Sequence, residues 1–274
     1  MATAAVNGVN LFYEDTGQGD ALVLVHGSWG DHNTWDLVVP ELSKRFRVIT
    51  YDRRGHSRSS APPGQGRIVE DAADLAAIIK HLNAAPAHVA GNSLGASITL
   101  RLAAAEPELF RSISAHEPPL FGLLAGDPKT APGLAEVQRR IGAVVEVLQQ
   151  SENVKAAELF VETVALGPGM WSQLPEDRRQ VMISNAQTFL DESRDPDGLV
   201  MDVGALRRYA RPAQLTNGDQ SPPLFPAVLE LVAGVLAQAE RLVYRGSGHI
   251  PQQTDPPGYV KGLTSFLHGA VTPA

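Results

Sequence analysis

Ser93 lies within Gly91-Asn92-Ser93-Leu94-Gly95, Asp219 within TNGDQ, and His249 at the end of RGSGH. A hydroxyl, a carboxylate and an imidazole in that order are the parts of a nucleophilic acyl-transfer centre, provided the fold brings them together. In such a centre Ser93 attacks a carbonyl and His249 takes its proton. Asp219 then holds the imidazole tautomer and stabilises its cation. Two backbone N–H groups are the candidate oxyanion donors. One is Leu94, where a helix starts; the other is Ser28, in the turn His26-Gly27-Ser28-Trp29-Gly30. The pentapeptide alone fits a capped small-residue turn equally well. Gly55-His56-Ser57-Arg58-Ser59 is a near miss of that kind: it lacks the second glycine and reads as a loop around Asp52 and the arginines.

The elements must place these groups at one edge. ALVLVHGSWGD (21–31), RVITYDRRGHS (47–57) and AHVAGNSLGAS (87–97) each join an apolar run to a Gly-containing turn and a helix-like stretch. The first two runs are apolar without strict alternation, as strands buried on both faces of a parallel sheet are. The helical stretches are 34–44, 69–82 and 94–108, and the middle one places Ala73, Leu75, Ile78, Ile79 and Leu82 along one side. VNGVNLFYEDTGQG reads as an edge hairpin turned at Asn7-Gly8. This repetition predicts an α/β fold with a mostly parallel sheet. Strands in such a sheet end at a shared carboxyl edge, where Ser93, Asp219 and His249 would converge. From about 120 to 209 only helical periodicity is evident, with Leu134, Val137, Ile141, Val144 and Leu148 on one face. Strand and helix then alternate again: a short run in 212–223, a helix at 226–239, a strand at 241–249 and a helix at 256–268. The expected organisation is a first core part at 1–118, a helical insertion at 119–207 and a second core part at 208–274. Stretches 61–66 and 122–133 read as surface loops.

Composition narrows the class. The 274 residues carry a formal net charge of −7 and are 43% hydrophobic. That balance speaks against a nucleic-acid partner, because phosphate binding needs a basic face. Arg53, Arg54 and Arg58 fall in one loop and read as local hydrogen-bond donors. There is no cysteine, so disulfides, thiolate zinc and a cysteine nucleophile are excluded. No histidine pair stands at metal-ligand spacing with a carboxylate, so no metal is expected. The N-terminal stretch lacks a signal-peptide pattern and no run is long enough to span a membrane. A soluble cytoplasmic protein with a small-molecule substrate and no membrane partner is the expectation; nothing in the sequence speaks to oligomeric state.

HGSWGD, YDRRGHSRS, GNSLGA, TNGDQ and GSGHIPQQTDP, in this order and spacing, resemble the α/β-hydrolase superfamily. The resemblance covers most of 6–118 and 208–268. It implies Ser93 as nucleophile, Asp219 as acid, His249 as base, and Ser28 and Leu94 as oxyanion donors. It also implies that the helical insertion is a cap and that no cofactor is needed. Some members of the superfamily carry the acid one strand earlier, where Glu117 ends RSISAHE; TNGDQ is the better match, which favours Asp219. Trp29, Asn92 and Trp171 are candidate pocket walls, and His26 a buttress of its turn. The leading expectation is a serine hydrolase of small or medium carboxylic esters or lactones. A carbon–carbon bond hydrolase or a cofactor-free perhydrolase with the same triad is the alternative, and a ligand-binding receptor with an idle triad belongs to another class. Ser93 at the nucleophile position excludes the aspartate-nucleophile relatives.

Overall fold

The structure is a computed structural model, and it describes residues 2–61, 64–236 and 238–271. Eight strands form one sheet in the order β1-β2-β4-β3-β5-β6-β7-β8. β1 (Ala2–Val6) and β2 (Val9–Thr16) are the antiparallel edge hairpin. Its turn uses Asn7 at φ 47° and Gly8 at φ 79°, the pair of left-handed residues that a tight hairpin turn requires. β3 (Ala21–Val25), β4 (Arg47–Tyr51), β5 (Ala87–Asn92), β6 (Phe110–His116), β7 (Ala213–Gly218) and β8 (Ala239–Tyr244) run parallel to one another.

The apolar runs are continuous because both faces of the sheet are covered. In β3, Val23 and Val25 join the core beneath α2 (Ile68–His81) and α3 (Leu94–Ala105). Leu22 and Leu24 join a second core with α1 (Val39–Leu42) on the opposite face. Alternate side chains thus enter different cores, as the two-residue period of a strand dictates.

Helix limits differ from the periodicity where proline intervenes. The stretch expected at 34–44 is a 3₁₀ turn, His32–Trp35, followed by the short α1. Pro40 has no N–H to continue a helix from Asp36. α3 stops at Ala105 because Glu106, ahead of Pro107, takes φ −131° and ψ 65°.

Between β6 and β7 the described residues form helices and turns without a strand. They include α4 (Ala131–Gln149), α5 (Asn153–Phe160), α6 (Glu176–Ser184) and α7 (Ala186–Arg194). Val144, Leu148, Ala157, Val161, Trp171 and Phe189 form an apolar cluster there, into which Trp29 of the core packs. The chain then returns through α8 (Leu224–Ala233), α9 (Pro251–Thr254) and α10 (Pro256–Val271). In the segments expected to be loops, Leu124 is buried in the 3₁₀ turn Phe121–Leu124; Pro62 and Pro63 lie outside the described residues, as does Ala237 of the stretch expected to be helical.

Candidate active site

Ser93 stands between β5 and α3 with φ 56° and ψ −125°, a backbone state that a side chain rarely adopts. The glycines on either side make that turn sterically feasible. A Cβ on Gly91 would lie 2.4 Å from the Gly95 carbonyl oxygen, and one on Gly95 would lie 2.1 Å from that of Val25. The turn after β3 presses on the same point, since a Cβ on Gly27 would meet the Ser93 Cβ at 2.8 Å. Leu94 is the first residue of α3, so its N–H has no acceptor within the helix. His26 fixes the neighbouring turn. Its Nδ1–H donates to the Gly27 carbonyl at 2.8 Å and its Nε2 accepts the Arg53 N–H at 3.0 Å. Burial, with His56 and Arg53 nearby, pushes its pKa well below the ordinary value, so the ring is neutral.

His249 lies beyond β8. Its Nδ1–H donates to Glu117 Oε2 at 2.6 Å, its carbonyl accepts the Asn92 side-chain N–H at 2.9 Å, and its ring stacks on Phe225 at 4.9 Å. Nε2 is the ring nitrogen that takes no part in that bond. Glu117 directly follows β6 at φ 48° and is fully buried. Its other oxygen, Oε1, accepts the Gly218 N–H at 2.8 Å. Burial penalises its charge, but the bond to His249 and the nearby imidazoles outweigh this and hold the carboxyl below its usual range.

Asp219 follows β7 at the expected sheet edge, yet its side chain does not reach His249. It accepts the Gly246 N–H at 2.8 Å and the Gln220 side-chain N–H at 3.0 Å, and Arg245 lies 3.7 Å away. Those donors lower its pKa, Gln220 foremost. Two physical features keep the Asp219 side chain, expected on the imidazole, away from it. The Asp219 N–H donates to the Tyr244 carbonyl, and Gly218 is pressed so closely on the Ser247 carbonyl that a Cβ would lie 2.2 Å from it. The chain therefore turns along β8 toward Gly246. The single Nδ1–H of His249 is also already taken by Glu117, which fills the gap between the end of β7 and the imidazole.

Ser93 and His249 border two cavities, of about 450 Å³ and 120 Å³. The two share Ser28, Ser93, Phe160, Ala165 and His249, so they meet at the serine. Trp29 and Asn92 line the smaller one. Trp171 lines neither; it is packed into the helical cluster, with Arg179 over its ring, because the turn that carries it folds back on the Glu162 carboxylate. The arginine loop binds the helical segment to the core. Arg53 pairs with Asp71 and Glu192, and Asn185 bridges the Gly30 carbonyl and the Ser57 N–H. Nothing in the sequence marks Glu192 or Asn185, for their roles depend on partners more than a hundred residues away.

A profile of the alpha/beta hydrolase fold matches residues 20–256. The chain belongs to the alpha/beta hydrolase family. It is 40% identical to the uncharacterized hydrolase YraK of Bacillus subtilis (strain 168) over 127 residues, which span 46% of this chain and 47% of that relative. It is 24% identical to a 2-(acetamidomethylene)succinate hydrolase of Mesorhizobium japonicum, over 94% of this chain and 92% of that one. Among solved structures, a thermophilic esterase from Thermogutta terrifontis superposes with a TM-score of 0.79 at 22% identity, covering 99% of this chain and 98% of the other. That likeness concerns the fold. Among the described residues, no helix of this hydrolase is long and apolar enough to cross a membrane.

Proposed function

We propose that this hydrolase cleaves small or medium carboxylic esters or lactones through an acyl-enzyme on Ser93. One observation carries the reading. Ser93, held at a left-handed turn, shares a cavity with an imidazole whose far nitrogen is bonded to a buried carboxylate. In the first half-reaction Ser93 Oγ bonds to the ester carbonyl carbon while His249 Nε2 takes its proton. The oxyanion rests on the Ser28 and Leu94 N–H groups, and Glu117 balances the imidazolium. The C–O bond breaks as His249 returns the proton to the leaving alcohol. Water then attacks the acyl-enzyme by the same route and releases the acid. The helical block 119–207 serves as the cap, and the two cavities meeting at Ser93 take the two arms of the ester. The fold likeness to an esterase supports the reading.

Two measurements test it. Ser93→Ala should lower kcat/KM on p-nitrophenyl butyrate at least about a thousandfold, and a fluorophosphonate should label Ser93. Retained turnover, or a label on another residue, overturns it.

A further inference from the structure

The larger cavity contains three arginines, and each faces two carboxylates. Arg53, only 1% exposed, places Nε and Nη2 on the two oxygens of Asp71 at 3.0 Å. Its Nη2 also donates to Glu192 Oε1 at 2.9 Å, and its Nη1 to the Gly27 carbonyl at 3.3 Å. Four of its N–H groups are thus engaged, of the five that a guanidinium has. Arg54 is held by Asp74 and Glu70, and Arg67 by Asp195 and Asp197. Asp191 adds another acid to the lining. The Arg53–Glu192 pair touches the turn beside the reacting centre: Arg53 grips the turn that presses on Ser93, and Ser28 neighbours the Glu192 carboxylate.

We propose that these doubly paired arginines make the larger cavity selective against carboxylate-bearing substrates, with Glu192 the determining residue, so that the long arm of the ester is uncharged. This rests on the Ser93 reading above. An arginine recruits a substrate carboxylate by offering two parallel N–H groups and an unspent positive charge. Here the fork is occupied. Burial raises the Glu192 pKa, and with either or both of Asp71 and Glu192 ionised the trio has no net positive charge. A substrate carboxylate would lose its water without finding a cation in return. The rest of the wall suits an alkyl arm, with Phe121, Val137, Ile141, Phe160, Leu224 and Phe225 along it.

The test compares matched pairs at pH 8: ethyl hexanoate with monoethyl adipate, and hexyl acetate with the acetate ester of ω-hydroxyhexanoate. Each pair differs only in a terminal carboxylate, on the acyl side in one and on the alcohol side in the other. The kcat/KM ratio should favour the neutral ester by more than about tenfold in both. Glu192→Gln, which keeps an oxygen for Arg53 but can carry no negative charge, should narrow the ratio at least about threefold. Asp191→Asn, made in parallel, should narrow it less, and an equal or larger effect there overturns the assignment to Glu192. A wild-type ratio below about tenfold, or variants that leave it unchanged, overturns the proposal. Hexyl methyl ketone and its ω-carboxylate, compared by calorimetry, read the same selectivity without turnover. Absent ester cleavage with selective ketone binding would then overturn the Ser93 reading alone.

Discussion

Glu117 and Asp219 both stand at the carboxyl edge of the sheet, one strand apart, and only Glu117 has an oxygen on His249. Glu117→Gln replaces the acceptor with a group that cannot balance an imidazolium, and kcat should fall by about a hundredfold or more. Asp219→Asn retains an oxygen for the Gly246 N–H and should stay within about threefold of wild type. Ester kinetics on the two variants checks the assignment, and the opposite ranking would return the acid to Asp219. Both residues were visible in the sequence as carboxylates at strand ends. The choice between them rests on where a side chain points after its strand, and this depends on the packing of β7 against the loop beyond β8.

At the scale of elements, the joint of β3, β5 and α3 carries the site. The run ALVLV and the glycines of GNSLG were legible because burial on both faces and close backbone approach each restrict residue type. Gly95→Ala tests the joint, since its Cβ would fall 2.1 Å from the Val25 carbonyl oxygen, with no flexible side chain there to yield. Loss of about 3 kcal/mol or more in urea unfolding is expected, with expression failure as the extreme. The helical insertion was readable as helices, but its docking was not. Asn185, Thr188 and Glu192 lie on or beside α7, and they meet Ser57, His56 and Arg53 of the arginine loop after β4. Periodicity reports which face of a helix is apolar and carries no information about which distant loop meets its polar face.

For the whole molecule, buried neutral histidines set the response to acid. Burial lowers the pKa of His56 to about 3 and of His88 and His116 to about 4, and that of His26 well below its ordinary value. Their unfolded values stay near 6.5, so between about pH 6.5 and 4 these four histidines bind more protons in the unfolded chain than in the folded one. Stability therefore falls as pH falls through that window. His32 opposes the trend: burial lowers its pKa, but Asp52 more than compensates, and its contribution is present at low pH and lost as pH rises through the raised value. Calorimetry from pH 7 to 4.5 should show the melting temperature dropping by about 5 °C or more. His88→Gln, at a strand position away from the site, should flatten that slope, and an unchanged slope would count against the account.

The sequence by itself determined the α/β architecture, the helical stretch between β6 and β7, and the turns after strands that carry Ser93 and His249. Each depends on local rules: burial period, turn chemistry, and the steric demand for glycine beside a strained serine. Tertiary structure alone decided which carboxylate meets His249, that Trp171 turns away from the cavities, and that three arginines lining the larger cavity are already neutralised. These are outcomes of pairing across distant segments. A carboxylate's partner is set by which N–H lies within about 3 Å of it, a relation that spacing along the chain does not encode.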